Sequence, residues 1–408
     1  MRVADCKVLV VGNPPPHRGG RYFILVKLTS ADGIVGWGEA YGAAFGPGVM
    51  KVAIEDAFAR HLEGRDPRDV ERLWRRCHGS GFSQRPDPTM SACASALEMA
   101  CWDMAGKAAG LPVHRMIGGR VHEGLRSYTY LYPPGEAGSV YPGEADDPDA
   151  PTVYDDPDLA AEAALREVER GFTAVKLDPA GPYSIMDGRQ PRLVDVDLSV
   201  RMLRAIREAV GTRADILYGT HGQFTPAGAA RMARAIAPFD PLWFEEPLPP
   251  DAGPEAWART VRHSSVPVAT GERLVGLHDF APVIAAGIGV VQPNLGRCGG
   301  ILQGKKIAAY AEAHHALVAP HCYCGPVVAA ANAQLAATCP NFLVLEAIGT
   351  WDGFHAELLE RPIPFEDGRT LLTDEPGLGV VVDEAVARAH PHEGGRLHLE
   401  MADDPPRA

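Results

Sequence analysis

From about residue 120 onward this chain repeats a pattern that leaves few folds open. Short β-rich runs alternate with amphipathic helical stretches. The candidate strands are RSYTYL near 126, FTAVKL at 172, ILYG at 216, PLWF at 241, VPVAT at 266, GVVQ at 289, ALVAP at 316 and FLVLE at 342. From the third onward they recur about every 25 residues, with helical spacing in DLSVRMLRAIREAVG and QGKKIAAYAEAHHA between them. Repeated βα units of this kind close as a parallel barrel, and the active site of such a barrel lies at the C-terminal ends of its strands. The expected fold class is therefore α/β, with the barrel spanning 121–349.

The first 120 residues read differently, as an α+β domain. RYFILVKLTSADGIVGWGEA, residues 21–40, alternates apolar and polar residues around Asp32-Gly33, a hairpin signal. Helical spacing then runs from Gly48 to Gly110, clearest in SACASALEMACWDMAGKAAG, and stops at Gly110-Leu111-Pro112. Residues 350–408 contain no further βα unit and are expected to return to this N-terminal domain. The stretch 133–157, rich in Pro, Gly, Glu and Asp, reads as a long loop above the catalytic face.

Composition narrows the function. A net charge of -13 disfavours nucleic acid and anionic membrane surfaces as partners, and an anionic substrate would need a local cation. The N-terminal MRVADCKVLVVGNPPP carries neither a signal-peptide core nor a membrane-spanning run, so a cytoplasmic location is expected. Eight scattered cysteines without paired CxxC spacing point to reduced thiols. Cys322-Tyr323-Cys324 beside His321 lacks the second ligand pair that a closed zinc site needs.

On a barrel, polar residues at strand C-termini carry the chemistry. In order they are Lys176 and Asp178 (AVKLDP), His221 (YGTHGQF), Glu245 and Glu246 (WFEEPL), Glu272 (ATGERL), Asn294 (VQPNLG), His321 (APHCYCG) and Glu346 (LVLEA). Carboxylates converging from successive strands repel unless a cation sits among them, and all-oxygen ligation suits Mg²⁺. Such an ion stabilises the enediolate formed when a carbon acid next to a carboxylate loses its proton. Read blandly, Glu245-Glu246 is a solvated pair, Asp178-Pro179 starts a turn, and Asn294 and Glu346 satisfy backbone groups at the rim. The strand-end placement favours a site for Lys176, Glu245, Glu272, His221 and His321, whereas His314 and His315 read as helix residues.

This order, together with ALEMACWDMAGKAAGLPVHRMIGG and the GGI at 299–301, resembles the mandelate racemase group of the enolase superfamily over nearly the whole chain. The resemblance implies a modified TIM barrel, (β/α)7β, with an α+β capping domain, and a symmetric homo-oligomer. Lys176-Leu177-Asp178 and Asn294 lack the KxK motif and second lysine of the muconate-cycloisomerase-like and dipeptide-epimerase-like members. His221-Gly222 and His321 are similar to the histidine pair of galactonate dehydratase-like sugar-acid dehydratases. The resemblance then implies Glu245 and Glu272 as metal ligands and His321 as the base at C2. It also implies His221 as the acid at the departing C3 hydroxyl, Lys176 as partner of the substrate carboxylate, and Glu346 as a hydrogen-bonding group for the enediolate.

Two positions depart from that pattern. Gly219 stands where the third metal ligand, an Asp, is expected; His221, Asp178 or water could replace it, and a coordinated His221 would not also serve as the acid. Asn294 stands where an Asp would support the strand-seven histidine, and an amide supplies no charge. The expected activity is dehydration of an aldonate or aldarate to a 2-keto-3-deoxy acid. Racemisation, epimerisation or lactone cycloisomerisation is the alternative, and a binding protein that has lost turnover is a third reading.

Overall fold

The computed structural model describes residues 1–42, 44–133 and 151–403, so most of the expected 133–157 loop lies outside the described residues. The chain opens with an antiparallel sheet of β1 (Val3–Gly12), β2 (Tyr22–Ser30) and β3 (Val35–Ala40), in that order. The hairpin at Asp32-Gly33 is closed by Ile34 N donating to Ser30 Oγ at 2.9 Å. Helices α1 (Pro47–His61), α2 (Val70–His78) and α3 (Pro88–Ala109) share a hydrophobic core with this sheet. α3 begins where Asp87 Oδ1 accepts Met90 N at 2.7 Å, with Pro88 in its first turn, and ends at Gly110. A short α4 (Val113–Met116) leads into the barrel.

Eight parallel strands follow: β4 (Gly124–Tyr130), β5 (Ala174–Leu177), β6 (Asp215–Tyr218), β7 (Trp243–Glu245), β8 (Val268–Thr270), β9 (Val290–Val291), β10 (Leu317–Val318) and β11 (Leu345–Ala347). They pair in chain order from β4 to β10. β11 closes the ring on β4 through Leu345 opposite Ser127, and a bridge between Val318 and Phe342 joins it to β10. The connecting helices are α5 (Pro157–Glu169), α6 (Leu193–Val210), α7 (Pro226–Ile236), α8 (Pro254–His263), α9 (Gly276–Ala285), α10 (Gly300–Ala313) and α11 (Pro326–Ala336). Seven strand-helix units and a final strand make the (β/α)7β barrel. His314 and His315 stand exposed just past the end of α10 rather than inside it.

Period-two alternation decides which side chains reach the barrel axis. Val175 and Leu177 pack toward the helices, whereas Ala174 belongs to an interior layer with Tyr128, Leu217, Trp243, Ala269, Val290 and Ala319. Lys176 shares the face of Ala174 and so points inward above that layer.

The residues after β11 divide between the two parts of the molecule. Beyond α12 (Phe354–Glu357), the hairpin of β12 (Phe365–Glu366) and β13 (Arg369–Leu371) adds antiparallel to β4. Only then do α13 (Glu384–Ala389) and its neighbours return to the first sheet, where Gly12 N donates to His390 O at 2.8 Å and Lys27 pairs with Glu384.

Two buried carboxylates of the N-terminal part cap barrel helices. Glu98 of α3 accepts Ile301 N at 2.8 Å and Leu302 N at 2.9 Å in the first turn of α10. Glu39 of β3 accepts Gly325 N at 2.5 Å and Val328 N at 3.0 Å at the start of α11. Each carboxyl oxygen pair accepts the otherwise unpaired N–H groups at the positive end of a helix, while burial pushes both groups up to about 7. A Cβ at Gly300 would lie 2.1 Å from Glu98 Oε2, so the glycine is needed for the carboxylate to approach. Among the described residues no helix is long and apolar enough to cross a membrane.

Candidate active site

The strand ends open into a cavity of about 350 Å³, a size suited to a small ligand. Of the residues expected from sequence, Lys176, Asp178, His221, Glu272, His321 and Glu346 line it, and Glu245 lies directly beneath, bonded to Lys176. Glu246 is drawn away: Arg273 pairs with it at 2.7 Å, and although burial pushes its carboxyl up to about 7, the pair accounts for its charge.

Lys176 Nζ donates to Glu245 Oε1 and stands 3.8 Å from Glu346 Oε1. Burial alone would strip its charge, but Glu245 and Glu346 outweigh it and hold the ammonium well above its ordinary range. Glu245 Oε2 accepts Trp243 Nε1 at 3.0 Å and Gln292 Nε2 at 2.8 Å. Burial still raises that carboxyl, with Lys176 opposing.

On one side of the mouth, after β5 and β6, stand Asp178, Gly219 and His221. His221 Nδ1 is 3.4 Å from Asp178 Oδ2, and its ring packs on Tyr183 with centroids 4.7 Å apart. Burial pushes His221 down to about 4, against the pull of Glu272, so the imidazole is neutral at pH 7. Burial likewise pushes Asp178 up to about 6, with Lys176 opposing.

On the other side, after β9 and β10, stand Asn294 and His321. Gly296 N–H donates to Asn294 Oδ1 at 2.9 Å, which identifies that atom as the amide oxygen. The amide nitrogen therefore faces His321 Nδ1 at 2.8 Å and donates to it. A neutral His321 then carries its proton on Nε2, 3.1 Å from Glu272 Oε2 and 3.8 Å from Glu346 Oε2. Burial opposes ionisation of Glu272, while the standing positive charges of Lys176 and Arg273 favour it. Asn294 Nδ2 also reaches Cys324 Sγ at 3.3 Å, and all eight cysteines are free.

The donor chemistry fits a hard divalent cation. Asp178, Glu272 and Glu346 line the cavity with Lys176 as its one lysine or arginine among the described residues, Lys176 is already paired with Glu245 beneath, and Asp178 Oδ1 is buried without a hydrogen-bond partner. As the side chains stand, Glu245 is turned onto Lys176 and Glu272 onto His321. Among the described residues no three acidic, histidine or cysteine side chains are grouped to hold an ion.

Sequence reasoning missed the aromatic and apolar wall. Tyr41, Tyr130, Tyr132, Tyr154, Tyr183 and Tyr323 line the cavity with Leu198 and Leu399. Leu399 arrives on a C-terminal strap: His398 lies between Tyr22, Tyr41 and Tyr323, and Ala402 N donates to Tyr183 O at 3.2 Å. Tyrosines in YTYLY, at the end of the first barrel strand and just beyond it, were a readable signal; nothing in the sequence of the tail announces its position.

The sequence matches the family described as Enolase C-terminal domain-like over residues 158–386, and the Mandelate racemase / muconate lactonizing enzyme, N-terminal domain family over 17–118. It is 30% identical to D-xylonate dehydratase of Haloferax volcanii over 399 residues, covering 96% of this chain and 89% of that protein. It is 32% identical to D-galactonate dehydratase of Variovorax paradoxus, covering 90% and 91%. A crystal structure of mandelate racemase/muconate lactonizing enzyme from Sulfitobacter superposes with a TM-score of 0.93 at 50% identity, covering 99% of each chain. Strand-end carboxylates, the (β/α)7β barrel and these likenesses agree: the chain belongs to the enolase superfamily, in its mandelate racemase / muconate lactonizing enzyme family.

Proposed function

We propose that this protein is a hydro-lyase that dehydrates an acid sugar, an aldonate or aldarate, to a 2-keto-3-deoxy acid. The observation that carries the reading is a cavity at the strand ends lined by an ammonium, the carboxylates of Asp178, Glu272 and Glu346 and two imidazoles, with Glu245 bonded to the ammonium from beneath. The relatives named D-xylonate and D-galactonate dehydratase support the reaction type.

Glu245 and Glu272 would hold a divalent cation, expected to be Mg²⁺, which when bound offsets the negative charge that develops on the substrate carboxylate. Lys176, fixed as an ammonium, supplies a second positive charge for that carboxylate, and Glu346 lies within reach of both Lys176 and His321. The two histidines differ in what they can offer. His221 is a neutral imidazole, so we assign it removal of the C2 proton and return of that proton to the departing C3 hydroxyl, which leaves as water. His321, with its proton on Nε2, donates a hydrogen bond to developing negative charge, as a neutral imidazole can. This reverses the roles that family likeness alone suggests.

Proton NMR of aldonates and aldarates in D₂O with Mg²⁺ tests the reading. Water loss with new keto-acid signals is the expected outcome. Deuterium entering C2 without water loss would instead favour a racemase or epimerase, and silence across the panel with a metal-loaded protein would sink carbon-acid chemistry on sugar acids.

A further inference from the structure

We propose that Asp178, just after β5, supplies the third metal-ligating carboxylate, in the space that a side chain at 219, just after β6, would otherwise fill. The inference rests on the reading above that this site takes a divalent cation. β5 and β6 are paired with Leu177 opposite Tyr218, so 178 and 219 follow one another across the strand ends. A Cβ built on Gly219 would lie 1.7 Å from Asp178 Oδ1 and 2.8 Å from its Cγ. Contacts that short do not occur between non-bonded atoms, so the two side chains exclude one another. Only glycine at 219 leaves room for the Asp178 carboxylate where it stands. The missing side chain on β6 and the extra carboxylate on β5 are therefore one structural change: the acidic group has moved one strand over.

The chemistry of Asp178 agrees. Its side chain is only 13% exposed, and Oδ1 is buried without a hydrogen-bond partner, while Oδ2 faces His221 Nδ1 at 3.4 Å. A buried carboxylate oxygen left unpaired costs free energy unless something binds it. Lys176, the nearest ammonium, is already bonded to Glu245. Oxygen is also the ligand that Mg²⁺ or Mn²⁺ prefers over the imidazole of His221, which is packed on Tyr183.

Mn²⁺ binding to the full chain, read by electron paramagnetic resonance of the free ion and by calorimetry, tests this without turnover. Asp178→Asn should weaken Mn²⁺ binding by about 100-fold, at or beyond the range produced by losing an outer-shell partner. Gly219→Ala should weaken it comparably, although it deletes no ligand, because the methyl group expels Asp178. The exchanged pair, Asp178→Gly with Gly219→Asp, should recover affinity to within about tenfold of wild type, which a merely misfolded single variant would not explain. Wild-type affinity in Asp178→Asn or in Gly219→Ala would overturn the proposal. So would His221→Ala losing Mn²⁺ while Asp178→Asn keeps it. A wild-type chain that binds no Mn²⁺ would instead overturn the cation reading itself, so the two failures are distinguishable.

Discussion

The two sides of the barrel mouth are built from the same materials and do different things with them. After β5 and β6, a histidine stands beside a carboxylate that keeps one buried oxygen unpartnered. After β9 and β10, a histidine stands beside an amide that Gly296 pins in one orientation. The first side leaves an acceptor unsatisfied and its imidazole neutral through burial. The second uses its amide to force the imidazole proton onto Nε2. What a histidine can do at such a site is decided by its burial on the first side and by the hydrogen-bond polarity of its neighbour on the second.

Removing the histidines one at a time should separate the two sides most widely. His221→Ala should abolish C2 exchange, with kcat reduced about 1,000-fold, inside the range lost with a positioned acid-base group. His321→Ala should slow water loss yet leave C2 exchange measurable. If exchange vanishes in His321→Ala and survives in His221→Ala, the assignment of the base is wrong. The pH profile adds a check: because His221 must be neutral to accept a proton, the acidic limb it governs should fall near pH 4 rather than near 6.5.

Asn294→Asp reverses one hydrogen bond on the second side. A carboxylate accepts from Nδ1, so the His321 proton should move from Nε2 to Nδ1. Nitrogen NMR of the imidazole should show the exchanged tautomer, with kcat lowered roughly 10- to 100-fold through loss of the Nε2–H donor. An unchanged tautomer would mean that something other than Asn294 sets it.

Much of this contrast was readable in advance, and the unreadable part has a physical reason. Strand-end position singled out Lys176, Glu245, Glu272, His221 and His321. Gly219 and Asn294 were visible as departures. Which of His221, Asp178 or water answers Gly219 was not, because that depends on contacts across a strand pair, and the turn of the Asn294 amide was not, because it depends on where the Gly296 N–H points. Glu98 and Glu39 read as ordinary helix and strand residues, since nothing local shows that they end up on the N-termini of α10 and α11.

The C-terminal strap bears on both sides at once, touching Tyr183 near His221 and Tyr41 near His321. Leu399→Ser should raise KM roughly tenfold, which corresponds to losing about 1.5 kcal/mol of apolar contact, with a smaller change in kcat. A kcat effect larger than the KM effect would show that the strap positions the histidines rather than the substrate.

The smallest effect on turnover, and the cleanest reference for the carboxylates of the mouth, should come from Glu98. Its buried carboxyl is pushed up to about 7 by burial, even though two backbone N–H groups and Trp102 Nε1, at 2.7 Å, donate to it. The ordinary value is 4.5, so between pH 4.5 and 7 the folded chain holds a proton that the unfolded chain has released. Stability from this group is therefore fully present below 4.5 and is lost as pH rises through 7. Glu98→Gln cannot ionise, and it replaces one accepting oxygen with an NH₂ facing an N–H donor, a cost of about 1–3 kcal/mol. At pH 5 the variant should be the less stable protein by that amount. As pH rises to 8 the wild type alone bears the cost of a buried charge, so the difference should narrow or invert, by up to about 3 kcal/mol for a shift of this size. Denaturant melts of both proteins at pH 5, 6.5 and 8 measure it. A gap that widens with pH would mean that the helix N-terminus holds Glu98 ionised throughout, and that burial at the joint is outweighed in a way it is not at Asp178.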